Sequence, residues 1–358
     1  MKTKKVCIVV TSLGSGGAER SSALLSKMLY NLGYNVHIVS VLNDIEYEYA
    51  GTLLNLGEIK ELDDSFYGRL KRFLIFKKYL KKEKFDKIID NRTRPIIVKE
   101  YLISKLLYRN ENVIYVTRSS KLDLYFTKSV FFAKIIFKNR HSYVGVSEEI
   151  TNKIKAIYKL KNVVTINNPI DIKQNNLMAQ EVNEFNMNYI LFYGRLDDEV
   201  KNISFLIEAF KASDLPKNNI SLLILGDGED LIKLKRIAQN SPVIFKPFTN
   251  NPFPYVKKAK FCCLTSKFEG FPRALIESLS IGTPIVSVNC SGSKEIILNE
   301  YNGLLVKNNN SQDFANAMNR LILDKDLYNN CKQNARESVK HLSLNEIGKK
   351  WDDLINEF

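Results

Sequence analysis

The chain has 358 residues, 45% hydrophobic and 26% charged, which excludes a disordered or collagen-like protein and favours two domains with a core in each. The 53 Lys and Arg outnumber the 39 Asp and Glu by 14 charges. The excess lies in residues 1–184, with 31 against 19, while the remainder carries 22 against 20.

In chain order, short β-rich runs alternate with helical segments, the pattern of parallel sheets built from βαβ units. The first series of strands is expected at 6–10, 36–41, 87–90, 113–117, 143–146 and 163–166. A helix over 17–32 should stop at Gly33, and another over 147–158 opens with Ser147 as its cap. The polar, Asn- and Gln-rich stretch 171–188 separates this series from a second one, with strands at 189–193, 222–225, 243–245, 261–264, 284–288 and 304–306. The reading is α/β: two Rossmann-like, doubly wound domains facing a cleft, 1–180 and 181–343. Such sheets bind ligands beyond the carboxyl ends of their strands, so the strand-end loops carry the functional information.

The five cysteines are odd in number and lack CxxC spacing, so they read as buried reduced thiols of a cytosolic protein. The three histidines have no second ligand at a useful spacing, and no metal site is expected. The apolar run at 6–10 is too short for a secretory signal, and no run reaches the roughly 18 residues of a membrane span. A cytoplasmic protein is expected.

Four loops stand out. Gly14-Ser15-Gly16-Gly17-Ala18-Glu19-Arg20 follows the first strand, and its glycines would let backbone amides approach an anion, although Glu19 spoils a dinucleotide fingerprint. Gly194-Arg195-Leu196 ends the strand 189–193, and Lys201-Asn202 precedes a helix; Arg195 and Lys201 together suit a diphosphate. Glu269-Gly270-Phe271-Pro272-Arg273 leads into a helix bearing Glu277, so two carboxylates are expected to face one cavity and accept from sugar hydroxyls. Gly292 and Ser293 are read as a further helix entry presenting amides to an anion. Asp227-Gly228-Glu229 reads as a turn capping a helix over 230–239.

The segments at 16–20, 194–202, 226–229 and 269–277, with Gly282-Thr283-Pro284-Ile285-Val286 after them, resemble in order and spacing the family 4 retaining glycosyltransferases of the GT-B fold. The resemblance implies a nucleotide-sugar donor held mostly by the second domain and an acceptor held mostly by the first. Arg195 and Lys201 would stabilise the leaving diphosphate, Glu277 would bind the ribose hydroxyls, and Glu269 would bind the transferred sugar. Gly16 and Gly17 would complete the phosphate pocket. Phe248, Phe271, Pro272, Arg273, Gly292 and Ser293 are further donor-side candidates, and the helix over 344–358 would cross back to the first domain. No divalent metal or other cofactor is implied, and Glu269 is given no nucleophilic role. Thr117-Arg118-Ser119 stands where many relatives have a histidine, so Arg118 is an acceptor or sugar contact. A UDP-N-acetylhexosamine is the favoured donor.

Arg92 and Arg94, beyond the strand ending at Asp90, lie where an acceptor would be met. The stretches 69–87 and 122–137 interleave lysines with aromatics, which fits a helix on an anionic leaflet. A peripheral location at the inner membrane face and a polyprenyl-diphosphate-linked saccharide acceptor follow from that reading. Nucleic acid is set aside because no helix-turn-helix spacing or RNP-like motif accompanies the charge. The rival activities are a nucleotide-sugar 2-epimerase of the same fold, which would need no acceptor, and a noncatalytic sugar-nucleotide binding module, which would show no turnover.

Overall fold

Val6, Cys7, Ile8 and Val9 are all 1% exposed or less, a continuous apolar run that a parallel strand covered on both faces requires. In the computed structural model, which describes residues 3–14, 16–182, 185–307 and 310–357, this run is an interior strand of a seven-stranded parallel sheet. Its strands are β1 (Lys5–Val10), β2 (Asn35–Ser40), β3 (Thr52–Asn55), β4 (Lys87–Asp90), β5 (Val113–Thr117), β6 (Ser142–Gly145) and β7 (Val163–Thr165), in the order β3-β2-β1-β4-β5-β6-β7. Ile8 registers with Ile38 on one side and Ile89 on the other.

A second parallel sheet holds β8 (Tyr189–Tyr193), β9 (Ser221–Leu225), β10 (Val243–Lys246), β11 (Cys262–Leu264), β12 (Ile285–Val288) and β13 (Gly303–Val306). Its order is β10-β9-β8-β11-β12-β13. In each sheet the order reverses once, between β1 and β4 and between β8 and β11. Those are the switch points at which doubly wound sheets receive their ligands.

Two compact units result, Met1–Pro169 with Leu344–Phe358, and Ile170–Ser343. The division falls eleven residues before the expected 180, because residues after Pro169 form the helix Ile172–Met178. Asp171 caps that helix by accepting from the Gln174 amide. Asn175 and Asn176 then donate to the Ser280 hydroxyl (3.4 Å) and carbonyl (2.9 Å) of the second unit. The helix Leu344–Asn356 lies in the first unit against the helix Gly17–Asn31, where the Tyr34 hydroxyl donates to Asp352 at 2.5 Å.

The loops after β8 and β9 are fitted to one another through glycine. Gly226 adopts φ +153°, and a Cβ there would lie 2.0 Å from the Gly194 carbonyl oxygen; one on Gly228 would lie 2.3 Å from that of Leu196. The Leu196 amide donates to the Asp227 carbonyl at 2.9 Å, and the Asp227 carboxylate accepts from the Phe248 amide at 2.8 Å. Asp227-Gly228-Glu229 is therefore a turn that braces the Arg195 loop. It precedes the helix Leu231–Ile237, shorter than the expected 230–239.

Arg92 and Arg94 are placed differently from the expectation that they meet an acceptor. Both are buried, at 5% and 1% exposure, as is Asp90 at 0%. The Arg92 guanidinium forks onto the Asp90 carboxylate at 3.0 and 2.7 Å and reaches Glu100 at 3.2 Å. Arg94 spends its donors on the carbonyls of Tyr125, Asp90, Arg92 and Val116, between the rings of Tyr115 and Tyr125. The reason is Asp90 itself: a carboxylate at the end of a fully buried strand needs counter-charge, and these two side chains supply it. They brace the β4 loop and are corrected from acceptor contacts to core residues.

Burial alone would raise the Asp90 carboxyl, but the guanidinium groups of Arg92 and Arg94 outweigh it and hold it below the usual range. A lowered folded-state value stabilises the protein above the unfolded carboxyl value, and that stability is lost as pH falls through the folded value. Asp90→Asn leaves Arg94 without its counter-ion and Arg92 with Glu100 alone, and should destabilise the chain by about 3–5 kcal/mol, measured by urea unfolding at neutral pH. The deficit should shrink as pH falls through the Asp90 value; a variant as stable as the parent would remove this role.

Candidate active site

The switch point of the second sheet lies between β8 and β11, which pair through Leu191 and Cys262. Each of the two loops leaving it carries one of the charged groups singled out above. After β8, Gly194 turns the chain at φ +147°. Leu196 is 0% exposed and anchors the loop, leaving Arg195 exposed and without a hydrogen bond or ion pair among the described residues.

Asp197 then caps the four-residue helix Asp198–Lys201 by accepting from Val200. Asn202 ends it in the left-handed region at φ +54°, and the helix Ile203–Ala212 starts immediately. That reversal is held by Asp198, which is 5% exposed and accepts from the Ser204 amide (2.7 Å), the Ser204 hydroxyl (2.8 Å) and the Lys233 ammonium (2.7 Å). Lys201, the last residue of the first helical turn, thereby faces the β11 loop.

Three bonds join the two loops. The Lys267 amide donates to the Val200 carbonyl at 3.0 Å. The Thr265 hydroxyl donates to the Lys201 carbonyl at 3.0 Å. The Lys201 ammonium contacts Glu269 Oε1 at 2.6 Å, with the two side chains 26% and 14% exposed. The structure thus brings Lys201 and Glu269 together at the mouth of the sheet, with Arg195 on the same β8 loop.

Glu277 goes elsewhere. Pro272 caps the helix Arg273–Ile281, and Arg273 Nε and Nη2 both donate to Glu277 Oε1, at 3.1 and 2.9 Å, one turn along. Both side chains are buried. The two carboxylates expected to share a cavity therefore have separate partners, Lys201 for Glu269 and Arg273 for Glu277. Ser278 has a structural use: its hydroxyl donates to the Ala274 carbonyl and meets the Tyr193 hydroxyl at 3.3 Å, tying β8 to this helix.

Gly292 and Ser293 open only the 3₁₀ turn Ser293–Glu295, not an α-helix, so the aligned peptide dipoles expected of a helix entry are missing. The Ser293 hydroxyl donates to the Val288 carbonyl (2.7 Å) and accepts from the Cys290 amide (3.0 Å). Gly292 is needed for close approach, since a Cβ there would lie 2.7 Å from the Gly270 carbonyl oxygen. Next to it the Ser291 hydroxyl donates to the Glu269 carbonyl at 2.9 Å. This loop thus supports Glu269 from below. Phe271 and Pro272 are buried and Phe248 is 44% exposed.

In the first unit Gly16 caps the helix Gly17–Asn31, and a Cβ on it would lie 1.9 Å from Glu19 Oε2, so the Glu19 carboxylate folds over the helix start. Ser15 lies outside the described residues. Arg118, after β5, donates to Asn168 Oδ1 at 2.7 Å and to Asn91 Oδ1 at 3.4 Å, and Asn91 donates to the Ser22 hydroxyl. A polar chain thus links the ends of β4, β5 and β7 to the first helix.

Sequence reasoning gave no role to Asp198, Asn202 or Ser291. A buried Asp followed by Asn and then an apolar helix was the available signal for the first two. It also missed Ser266, 0% exposed at the end of β11, whose hydroxyl has no hydrogen-bond partner among the described residues. The five cysteines are free and buried. Among the described residues, no helix is long and apolar enough to cross a membrane.

Residues 173–338 match the sequence model of the family described as glycosyl transferases group 1. The chain is 26% identical to the N-acetylgalactosamine-N,N'-diacetylbacillosaminyl-diphospho-undecaprenol 4-alpha-N-acetylgalactosaminyltransferase of Campylobacter jejuni, over 94% of this chain and 95% of that protein. It is 27% identical to the amylovoran biosynthesis glycosyltransferase AmsD of Erwinia amylovora, over 98% and 99%. Among solved structures, Anabaena Alr3699/HepE in complex with UDP superposes with a TM-score of 0.76 at 16% identity, covering 99% of this chain and all of that one. With a group 1 glycosyltransferase domain in its second unit and two Rossmann-like sheets, the chain is a glycosyltransferase of the GT-B fold.

Proposed function

We propose that this glycosyltransferase is retaining and metal-independent, and moves a hexose or N-acetylhexosamine from a UDP-linked donor to a glycan or polyprenyl-diphosphate-linked saccharide. The observation that carries the reading is the Lys201–Glu269 pair, 2.6 Å apart at the β8/β11 switch point. A diphosphate carries at least twice the charge of a carboxylate, so Coulomb attraction favours Lys201 exchanging Glu269 for a donor phosphate. Glu269 is then released to accept from the sugar hydroxyls. Arg195, which has no partner to give up, adds a forked contact to the same phosphates.

Cleavage of the sugar–phosphate bond puts negative charge on the departing oxygen. Fixed cations lower that barrier because their attraction grows as the charge develops. They take the role a divalent ion has elsewhere, while Asp227 serves its turn. Retention follows a front-face course in which the departing phosphate takes the acceptor's proton, leaving Glu269 without a covalent role. Phe248, Phe271, Pro272, Gly292, Ser293, Arg273 and Glu277 border or brace the donor loops. Arg118 is the acceptor-side contact, held in place by Asn168 and Asn91.

The named reaction of the Campylobacter relative supports an amino sugar and a lipid-linked acceptor, and the Anabaena complex supports UDP. A lipid-linked acceptor would place the enzyme at the inner face of the membrane, where an anionic surface meets its basic first unit.

Arg195→Ala and Lys201→Ala should each lower kcat by roughly 100- to 1000-fold while leaving the circular dichroism spectrum of the parent. Parental turnover in folded variants would end the proposal. Turnover should be unchanged in excess EDTA, and a requirement for added divalent ion would contradict metal independence.

A further inference from the structure

The helix Ile97–Leu102 and the π-helical turn Ile103–Leu107 that continues it are built inside out. Glu100, the acidic residue, is 4% exposed and pairs with Arg92, while Val98, Tyr101, Leu102 and Leu106 are between 43% and 70% exposed. Val98, Leu102 and Leu106 are four residues apart and form one outward stripe. The helix Val130–Ile136 packs against this element. It buries Ala133 and Ile136 but leaves Phe131 69% and Phe132 48% exposed, their rings edge to face at 5.6 Å. Tyr125, Phe126 and Phe137 from the same aromatic stretch fill the core. The outward rings are therefore surplus to it, and a contiguous apolar face of this kind marks an interaction surface.

The charge around it is one-sided. Residues 96–140 contain nine Lys and Arg against three Asp and Glu, and one of the three is the buried Glu100. Lys105 lies over the Tyr101 ring at 5.6 Å. Arg140 donates to the carbonyls of Tyr108 and Arg109, which fastens the segment after the Phe131 helix to the end of the π turn. The Lys138 ammonium is held below its usual range by the like charge of Lys105 first, then by burial, Arg140 and Arg109. Cations that press on one another at a surface are relieved by an anionic partner.

We infer that this face of the first unit docks on an anionic lipid bilayer, with Phe131 and Phe132 entering the headgroup–acyl boundary and Lys105, Lys138 and Arg109 on the headgroups. Charge complementarity decides the partner: a leaflet offers an apolar interior directly beneath an anionic plane, which is the layering this face presents. The inference deepens the membrane part of the proposed function and rests on it. It selects one surface from the two basic stretches of the first half. The helix Phe66–Glu83 is the alternative, with Phe66 and Tyr67 also exposed.

The test is flotation of the full chain with vesicles of phosphatidylcholine and phosphatidylglycerol, against phosphatidylcholine alone, at low salt. The parent should bind only the anionic vesicles. F131S/F132S should weaken partitioning at least about tenfold, and K105Q/K138Q about 25-fold, or fivefold per cation. F66S/Y67S should stay within about twofold of the parent, because these rings lie outside the assigned face. Absence of binding, or loss confined to F66S/Y67S, overturns the placement. Self-association that disappears in F131S/F132S, with no vesicle binding, overturns it in favour of a second copy of the chain. Thermal stabilisation by UDP, measured on the same variants, should be unchanged. A parent that binds vesicles but is not stabilised by UDP would remove the donor reading and leave the docking surface standing.

Discussion

The ion pair between Lys201 and Glu269 is the contact on which the account of this enzyme depends. A parallel sheet whose strand order reverses leaves a gap between two loops that run in opposite directions, and here both loops are closed across that gap by backbone and side-chain bonds. The pair is half-hidden, which strengthens it relative to a surface bridge but still lets a more highly charged ligand compete. Much of the surrounding architecture serves its position. Asp198 and Asn202 fix the reversal that presents Lys201, Ser291 holds the backbone of Glu269, and Gly226 and Gly228 allow the neighbouring turn to press against the Arg195 loop.

The first unit uses its arginines in two different ways, although composition makes them look alike. Arg92 and Arg94 are internal and matched by Asp90 and Glu100. Arg118 instead donates to the amide side chains of Asn168 and Asn91. The basic excess that reaches solvent comes largely from lysines on the helices after β3, β4 and β5.

Strand positions were legible because a strand covered on both faces reads as a near-continuous apolar run; β5 and β8 have the bounds that their sequence suggests. β3 escaped notice since it is a four-residue edge strand, Thr-Leu-Leu-Asn, none of it buried, with no contrast to its surroundings. The helix Ile172–Met178 escaped for a related reason: its inner face is asparagine bonded to Ser280, so no apolar periodicity announces it. At the site, spacing located the loops carrying Arg195, Lys201 and Glu269, because the order of strands and turns fixes where loops emerge. It did not give side-chain direction. Pattern alone could not tell that Arg94 turns into the core, that Glu277 pairs within its own helix, or that Phe126 is buried while Phe131 is exposed.

The proposed reaction turns on recognition of a diphosphate by Lys201 and Arg195. Calorimetric titration with UDP and with UMP at matched ionic strength tests it most directly, since the two ligands share base and ribose and differ only by the terminal phosphate. UDP should bind at least about tenfold more tightly than UMP, an advantage that shrinks as salt screens the cations. Equal affinities for the two nucleotides would contradict it.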